Sequence, residues 1–360
     1  MSDIKTMQEI NGLGTYMDNS FLEKMQKIIG TKSLAIEVNK LLLETNTKHL
    51  SATVWSELFN NGQHGVSGDQ FNDIVHGLLR AQEFAKLHAI NKVVVACMPK
   101  SGSSFLSTAF ESGLGYKRML LNSSRTMNPS AFGVNNQEQT VDELVLTKNC
   151  IRTESGGGFV SQIHLKGDLD TITTLYAHRA TVLCTMRNIF DGIVSLDDMI
   201  TKVDSRGGST WPVWYNQPAF KVPLDYIERS FDERIEIIAL NYGTWCIDYF
   251  LSWKRLENAG IKFLWVDYSR DLSRSSGNKT QLAEKIAKYM KLSEADAGSL
   301  REFMAEDDAD VAQARLNVGI DGRGGQLPDH LVSQLSRIAS HYRDEMSEEE
   351  FERYFTLRKQ

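Results

Sequence analysis

Val93-Val94-Val95-Ala96-Cys97-Met98-Pro99-Lys100-Ser101-Gly102-Ser103-Ser104-Phe105-Leu106 decides the architecture of this 360-residue chain. The apolar, β-branched run reads as a buried strand, and Pro99, which has no N–H to give a ladder, ends it. Ser101, Gly102, Ser103 and Ser104 then open a helix whose first turn leaves backbone N–H groups without intrahelical partners. Such amides, together with the positive end of the helix macrodipole, attract an anion, and Lys100 adds a full charge. The stretch predicts a phosphate cradle between a strand and a helix. A plain Ser/Gly helix cap is the competing reading, and the rest of the chain weighs against it.

The residue order separates this loop from the nucleoside-triphosphate type, G-x-x-x-x-G-K-[ST], in which lysine follows the second glycine and a hydroxyl serves magnesium. Here Lys100 precedes a single glycine. Pro99 to Phe105 resembles instead the 5′-phosphosulfate loop of sulfotransferases that use 3′-phosphoadenosine-5′-phosphosulfate (PAPS). By that resemblance Lys100, Ser101, Gly102, Ser103 and Ser104 hold the 5′-phosphate. Phe105 stands where many relatives place a tryptophan beside the adenine, and a phenyl ring can stack there.

A second motif, Thr185-Met186-Arg187-Asn188-Ile189-Phe190-Asp191-Gly192-Ile193-Val194-Ser195, ends a strand in arginine and sets a serine eight positions on. An arginine at a strand end and a hydroxyl two helical turns later can converge on one phosphate. The planar guanidinium suits this, because it donates several hydrogen bonds and stays charged. An Arg–Asp pair capping the helix is the alternative. The motif resembles the family's Arg-Asn-Pro-x-Asp-x-x-x-Ser, with Ile189 in place of proline, and implies that Arg187 and Ser195 hold the 3′-phosphate.

Between these motifs, Gln162-Ile163-His164-Leu165 resembles the family's Lys-Thr-His-Leu-Pro segment, whose histidine is the general base. The reaction needs one: an acceptor hydroxyl must lose its proton as it attacks sulfur, and imidazole titrates near neutrality. Gln162 stands where the family often has lysine, and Lys166 does not inherit that role. Glu138 and Glu154 are reserve bases, since some sulfotransferases use a carboxylate. Two weaker segments agree in order. Phe263 to Leu272 looks like the family's strand ending in Tyr-Glu-Asp-Leu, with one residue inserted. Asn317 to Gly325 resembles the late glycine-rich loop over the 3′-phosphate; it lacks the family's Arg-Lys-Gly, so Gly319, Arg323 and Gly324 are the expected contacts, with Arg323 supplying charge.

Composition sets outer bounds. The chain is 41% hydrophobic and 24% charged with a net charge of −6, which argues against a general nucleic-acid or anionic-membrane binder. Cys97, Cys150, Cys184 and Cys246 are scattered with no C-x-x-C pair, so buried free thiols are expected and neither zinc nor disulfides. Met1 to Asn19 is polar and lacks the apolar core of a signal peptide, and no run approaches a membrane span. A cytoplasmic protein without a transmembrane segment is the expectation.

Residues 1–90 read as a helical region with apolar stripes at helical spacing, and His49, His64, His76 and His88 share no metal-ligand spacing. From 91 onward strands and helices alternate, which implies a mostly parallel sheet covered on both faces. The turn-rich 121–140 is a functional or flexible loop. Residues 204–231, with Trp211, Trp214, Tyr215 and Phe220, read as a lid or acceptor-binding insertion, or equally as a packed surface loop. One long helix is expected over 231–258 and a polar helical tail after 325.

The fold class expected is therefore α/β: a P-loop-like central parallel sheet flanked by helices, with an α-helical N-terminal appendage over 1–90 and a sulfotransferase domain over 91–360. The resemblance implies sulfuryl transfer from PAPS, leaving adenosine 3′,5′-bisphosphate, with no metal, to a carbohydrate, lipid or small-metabolite hydroxyl. His164 and Lys100 carry the chemistry. A kinase-like P-loop enzyme and a non-catalytic nucleotide-binding interaction protein are the alternatives. No nucleic-acid partner is expected, and a homo-oligomer is left open.

Overall fold

The computed structural model describes residues 90–121, 157–168, 178–205, 225–273, 277–305 and 321–357, with isolated positions between them. The helical appendage expected over 1–90, and most of the loops at 121–140 and 204–231, lie outside these residues.

Among the described residues five strands form one sheet in the order β2-β3-β1-β4-β5. They are β1 (Asn91–Cys97), β2 (Lys117–Arg118), β3 (Gly158–Ile163), β4 (Thr181–Met186) and β5 (Leu264–Asp267), and every neighbouring pair is parallel. β1 is central, with Ala96 level with Ile163 on one side and Cys184 on the other. The chain builds outward from β1 to β2 and β3, then crosses to β4 and β5. That reversal opens a crevice beyond the C-terminal ends of the central strands, where α/β sheets bind ligands.

The continuous apolar run of β1 is explained by burial on both faces. Val94, Ala96 and Met98 enter one core with Val182, Cys184 and Met186 of β4. Val93, Val95 and Cys97 point the other way, into a second core with Leu183 and Val160. The first core is closed by α2 (Ile189–Ser205), α3 (Phe231–Ile238), α4 (Thr244–Asn258), α7 (Asp329–Ser340) and α8 (Glu348–Phe355). The second is closed by α1 (Ser103–Thr108), α5 (Lys279–Met290) and α6 (Glu294–Ala305). This α/β architecture is the one the alternating pattern implied. Cys97, Cys184 and Cys246 are buried free thiols, and Cys150 lies outside the described residues.

The long helix expected over 231–258 is present: α3 and α4 run on through a π turn, Ala239–Gly243, with right-handed helical backbone on both sides of it. One expectation is corrected. The C-terminal stretch is not a polar tail. Leu331, Leu335 and Ala339 of α7, and Phe351, Tyr354 and Phe355 of α8, are buried in the first core. Their three- and four-residue spacing makes one apolar stripe per helix, which the polar average composition conceals. Among the described residues no helix is long and apolar enough to cross a membrane.

Candidate functional site

The β1–α1 connection turns twice through left-handed backbone, at Lys100 (φ 64°) and Gly102 (φ 84°). A Cβ on Gly102 would stand 2.7 Å from Leu272 Cδ1 and 3.0 Å from Tyr268 Cδ2, so both the dihedral and the space demand glycine. Lys100 has no such exemption, and its backbone conformation is held by its surroundings. Buried Ser101 donates its hydroxyl to the Met98 carbonyl and shares a short contact with Thr185 Oγ1. The Tyr242 hydroxyl donates to the Pro99 carbonyl (2.6 Å), and the Tyr249 hydroxyl to that of Ala96 (2.8 Å). The loop is thus held by Thr185 of β4 and by tyrosines of the π turn and α4, and the Ser101 hydroxyl is engaged within it.

The two remaining serines face β3. Gln162 Nε2 donates to Ser103 Oγ (2.9 Å), and Ser104 Oγ lies 3.5 Å from Gln162 Oε1. The neutral glutamine therefore staples the first turn of α1 to β3. Lys100 Nζ lies 3.5 Å from Met199 Sδ, on α2.

Arg187 leaves β4 into the same crevice and is 4% exposed. Its Nη1 donates to the Lys100 carbonyl (3.3 Å), which joins the second motif to the first. Its guanidinium carbon sits 4.2 Å over the Tyr268 ring, a cation–π contact that fixes the plane of the fork. Nη2 faces two carboxylates, Asp191 Oδ2 at 4.0 Å and Asp321 Oδ1 at 3.8 Å. Asn188 caps α2 by accepting from the Phe190 amide (3.1 Å), and its Nδ2 donates to the Arg353 and Thr356 carbonyls (3.0 and 2.8 Å).

Asp191 organises the glycine-rich segment. Its Oδ2 accepts from the Gly322 amide (3.0 Å) and its Oδ1 from the Gly324 amide (2.7 Å). Gly324 is pressed so close that an added Cβ would stand 2.6 Å from Phe190 Cβ. Arg323, one residue earlier, is paired with Asp198 on α2 (2.6 Å), so part of its charge is spent inside the protein. Asp191, Ser195, Asp198 and Met199 recur at helical spacing on α2, a stripe that meets the glycine-rich segment and Lys100. Ser195 is buried within that helix.

His164 follows β3 on the other side of β1. Its Nδ1 stands 2.9 Å from the Cys97 carbonyl and 3.2 Å from Cys97 Sγ. A carbonyl only accepts, so Nδ1 carries the proton and Nε2 the lone pair. Burial lowers the imidazole from 6.5 to about 4, only partly countered by the Cys97 carbonyl. Burial likewise pushes the Cys97 thiol up to about 12, so it is a neutral neighbour.

Three adjacent strand ends therefore carry His164, the Lys100–Ser104 loop and Arg187, in that order across β3, β1 and β4. Phe105 packs near Phe303 (ring centroids 6.3 Å apart) with Lys279 Nζ 5.4 Å from its ring. Gly319, Glu138 and Glu154 lie outside the described residues, as do Trp211, Trp214, Tyr215 and Phe220. Sequence reasoning did not assign Tyr268, Asp191, Asp321 or Gln162 to the site. Tyr268 had a signal, the tyrosine of the segment that looks like Tyr-Glu-Asp-Leu.

No family model matches the sequence, and no curated protein matches it. Among solved structures the chain is similar to mouse sulfotransferase SULT7A1 complexed with PAP, at 13% identity and a TM-score of 0.41, over 72% of this chain and 92% of that one.

Proposed function

We propose that this chain transfers a sulfuryl group from PAPS to an acceptor hydroxyl. The observation that carries the reading is the row of three strand ends, which sets a neutral imidazole, a left-handed loop with Lys100, and a buried guanidinium along one crevice. The donor supplies a sulfur already activated by its anhydride bond to phosphate. The loop amides and Lys100 suit a phosphate whose negative charge grows as the sulfur–oxygen bond breaks. Arg187 suits the second phosphate of the nucleotide, since buried arginine is a bidentate phosphate ligand. His164 Nε2 has the lone pair to take the acceptor's proton, and Nδ1–H pointing at the Cys97 carbonyl holds the ring in that tautomer. Positioning and charge carry the reaction, as in phosphoryl transfer.

The test is calorimetric titration of adenosine 3′,5′-bisphosphate, without magnesium, into the native protein, Arg187→Ala and Lys100→Ala. Micromolar binding that Arg187→Ala abolishes is the expected result. Absence of binding, with magnesium-dependent binding of ATP instead, overturns the proposal in favour of a kinase-like enzyme.

A further inference from the structure

The buried guanidinium of Arg187 already has an anionic neighbour that the second motif does not contain. Asp321 Oδ1 stands 3.8 Å from Arg187 Nη2, closer than Asp191 Oδ2 at 4.0 Å. Asp191 is spent on the Gly322 and Gly324 amides, so its charge is partly absorbed by backbone donors. Asp321 precedes that anchored pair at a left-handed turn, Gly322 (φ 80°), and the anchoring holds it against Arg187. Its side chain is 17% exposed against 4% for Arg187, yet the Oδ1 that faces the guanidinium is itself buried.

We infer that Asp321 is an internal stand-in for the nucleotide's second phosphate: it compensates the charge of Arg187 and competes with a 3′-phosphate for the same guanidinium. This inference rests on the assignment of Arg187 to that phosphate. Its physical basis is that a buried charge needs a partner in every state of the protein. A carboxylate already beside the fork competes with an incoming dianion, and like charges brought together at a binding site weaken it strongly. Asp321 thereby becomes a residue that sets donor affinity and discriminates between nucleotides with and without the 3′-phosphate.

The experiment is calorimetry on the full chain with adenosine 3′,5′-bisphosphate and adenosine 5′-monophosphate, comparing the native protein with Asp321→Asn and Asp321→Ser. Asp321→Asn keeps the shape and removes the charge; Asp321→Ser guards against one variant misfolding, with thermal midpoints as the check. The expected result is bisphosphate binding tightened about tenfold or more in both variants, with monophosphate binding changed less than about twofold. Equal tightening of both nucleotides overturns the inference, because the effect is then general charge. Unchanged or weakened bisphosphate binding in the variants also overturns it, while native binding that depends on Arg187 leaves the sulfotransferase reading standing. If the bisphosphate binds neither the native protein nor the variants, both fall.

Discussion

The two motifs that frame the crevice are built differently. The Lys100–Ser104 loop takes its course from contiguous residues, two of them left-handed, and is buttressed by Gln162, Thr185 and, through Pro99, Tyr242. The Arg187 side is assembled from afar. Asp191 reaches Gly322 and Gly324, 131 and 133 residues later, and Asn188 reaches Thr356, 168 residues later. A local loop can be read from its own residues, but an assembled one shows only the half that happens to match a pattern. The difference also predicts how each side fails.

If the loop's backbone is what matters, Gly102→Val should be the most damaging change. It combines a left-handed β-branched residue with a clash against Leu272 and Tyr268, together about 4 kcal/mol, read as a fall in denaturation midpoint and loss of bisphosphate binding. A midpoint near the native value would show that the loop yields, and would erase its contrast with the assembled side.

His164 tests whether the end of β3 stays neutral beside the charged Lys100 and Arg187. Its folded value, about 4, lies below the ordinary 6.5. Between those values the unfolded chain binds a proton that the folded one refuses, so stability is full above pH 6.5 and declines as pH falls toward 4. The loss across the window is about 3 kcal/mol, measured by urea unfolding at pH 7 and pH 4.5. His164→Asn should remove its share of that slope and lower kcat by roughly 10²–10⁴ while sparing nucleotide binding. A slope unchanged in the variant would assign the acid sensitivity to another group.

On the assembled side, Asp191→Asn leaves one glycine amide facing an NH2 group, a loss of about 2 kcal/mol. Bisphosphate affinity should fall with it, because the 322–324 segment loosens. On the loop side, Tyr242→Phe is the gentlest probe. It removes a donor from the Pro99 carbonyl, about 1 kcal/mol by thermal melt, with the loop otherwise intact.

These contrasts explain what the sequence disclosed. β1 and its loop were legible because a β-branched run, a proline and a Lys-Ser-Gly order are contiguous. Arg187 was legible as a strand-end cation, and the alternative of an Arg–Asp pair is also present, since Asp191 lies 4.0 Å away. The contacts of Asp191 and Asp321 were not legible, because both depend on a segment that only the fold brings to α2. Arg323 was assigned to a phosphate, but its neighbour Asp198 is equally invisible along the chain. The amphipathic α7 and α8 were hidden by their charged faces, although their spacing carried the signal.

Asn188 has a consequence for the order of events during synthesis. The residue beside Arg187 is secured by carbonyls of Arg353 and Thr356. A nascent chain that has released β1 to β5 therefore still lacks the two carbonyls that secure Asn188, and the surroundings of Arg187 are complete only once α8 has emerged.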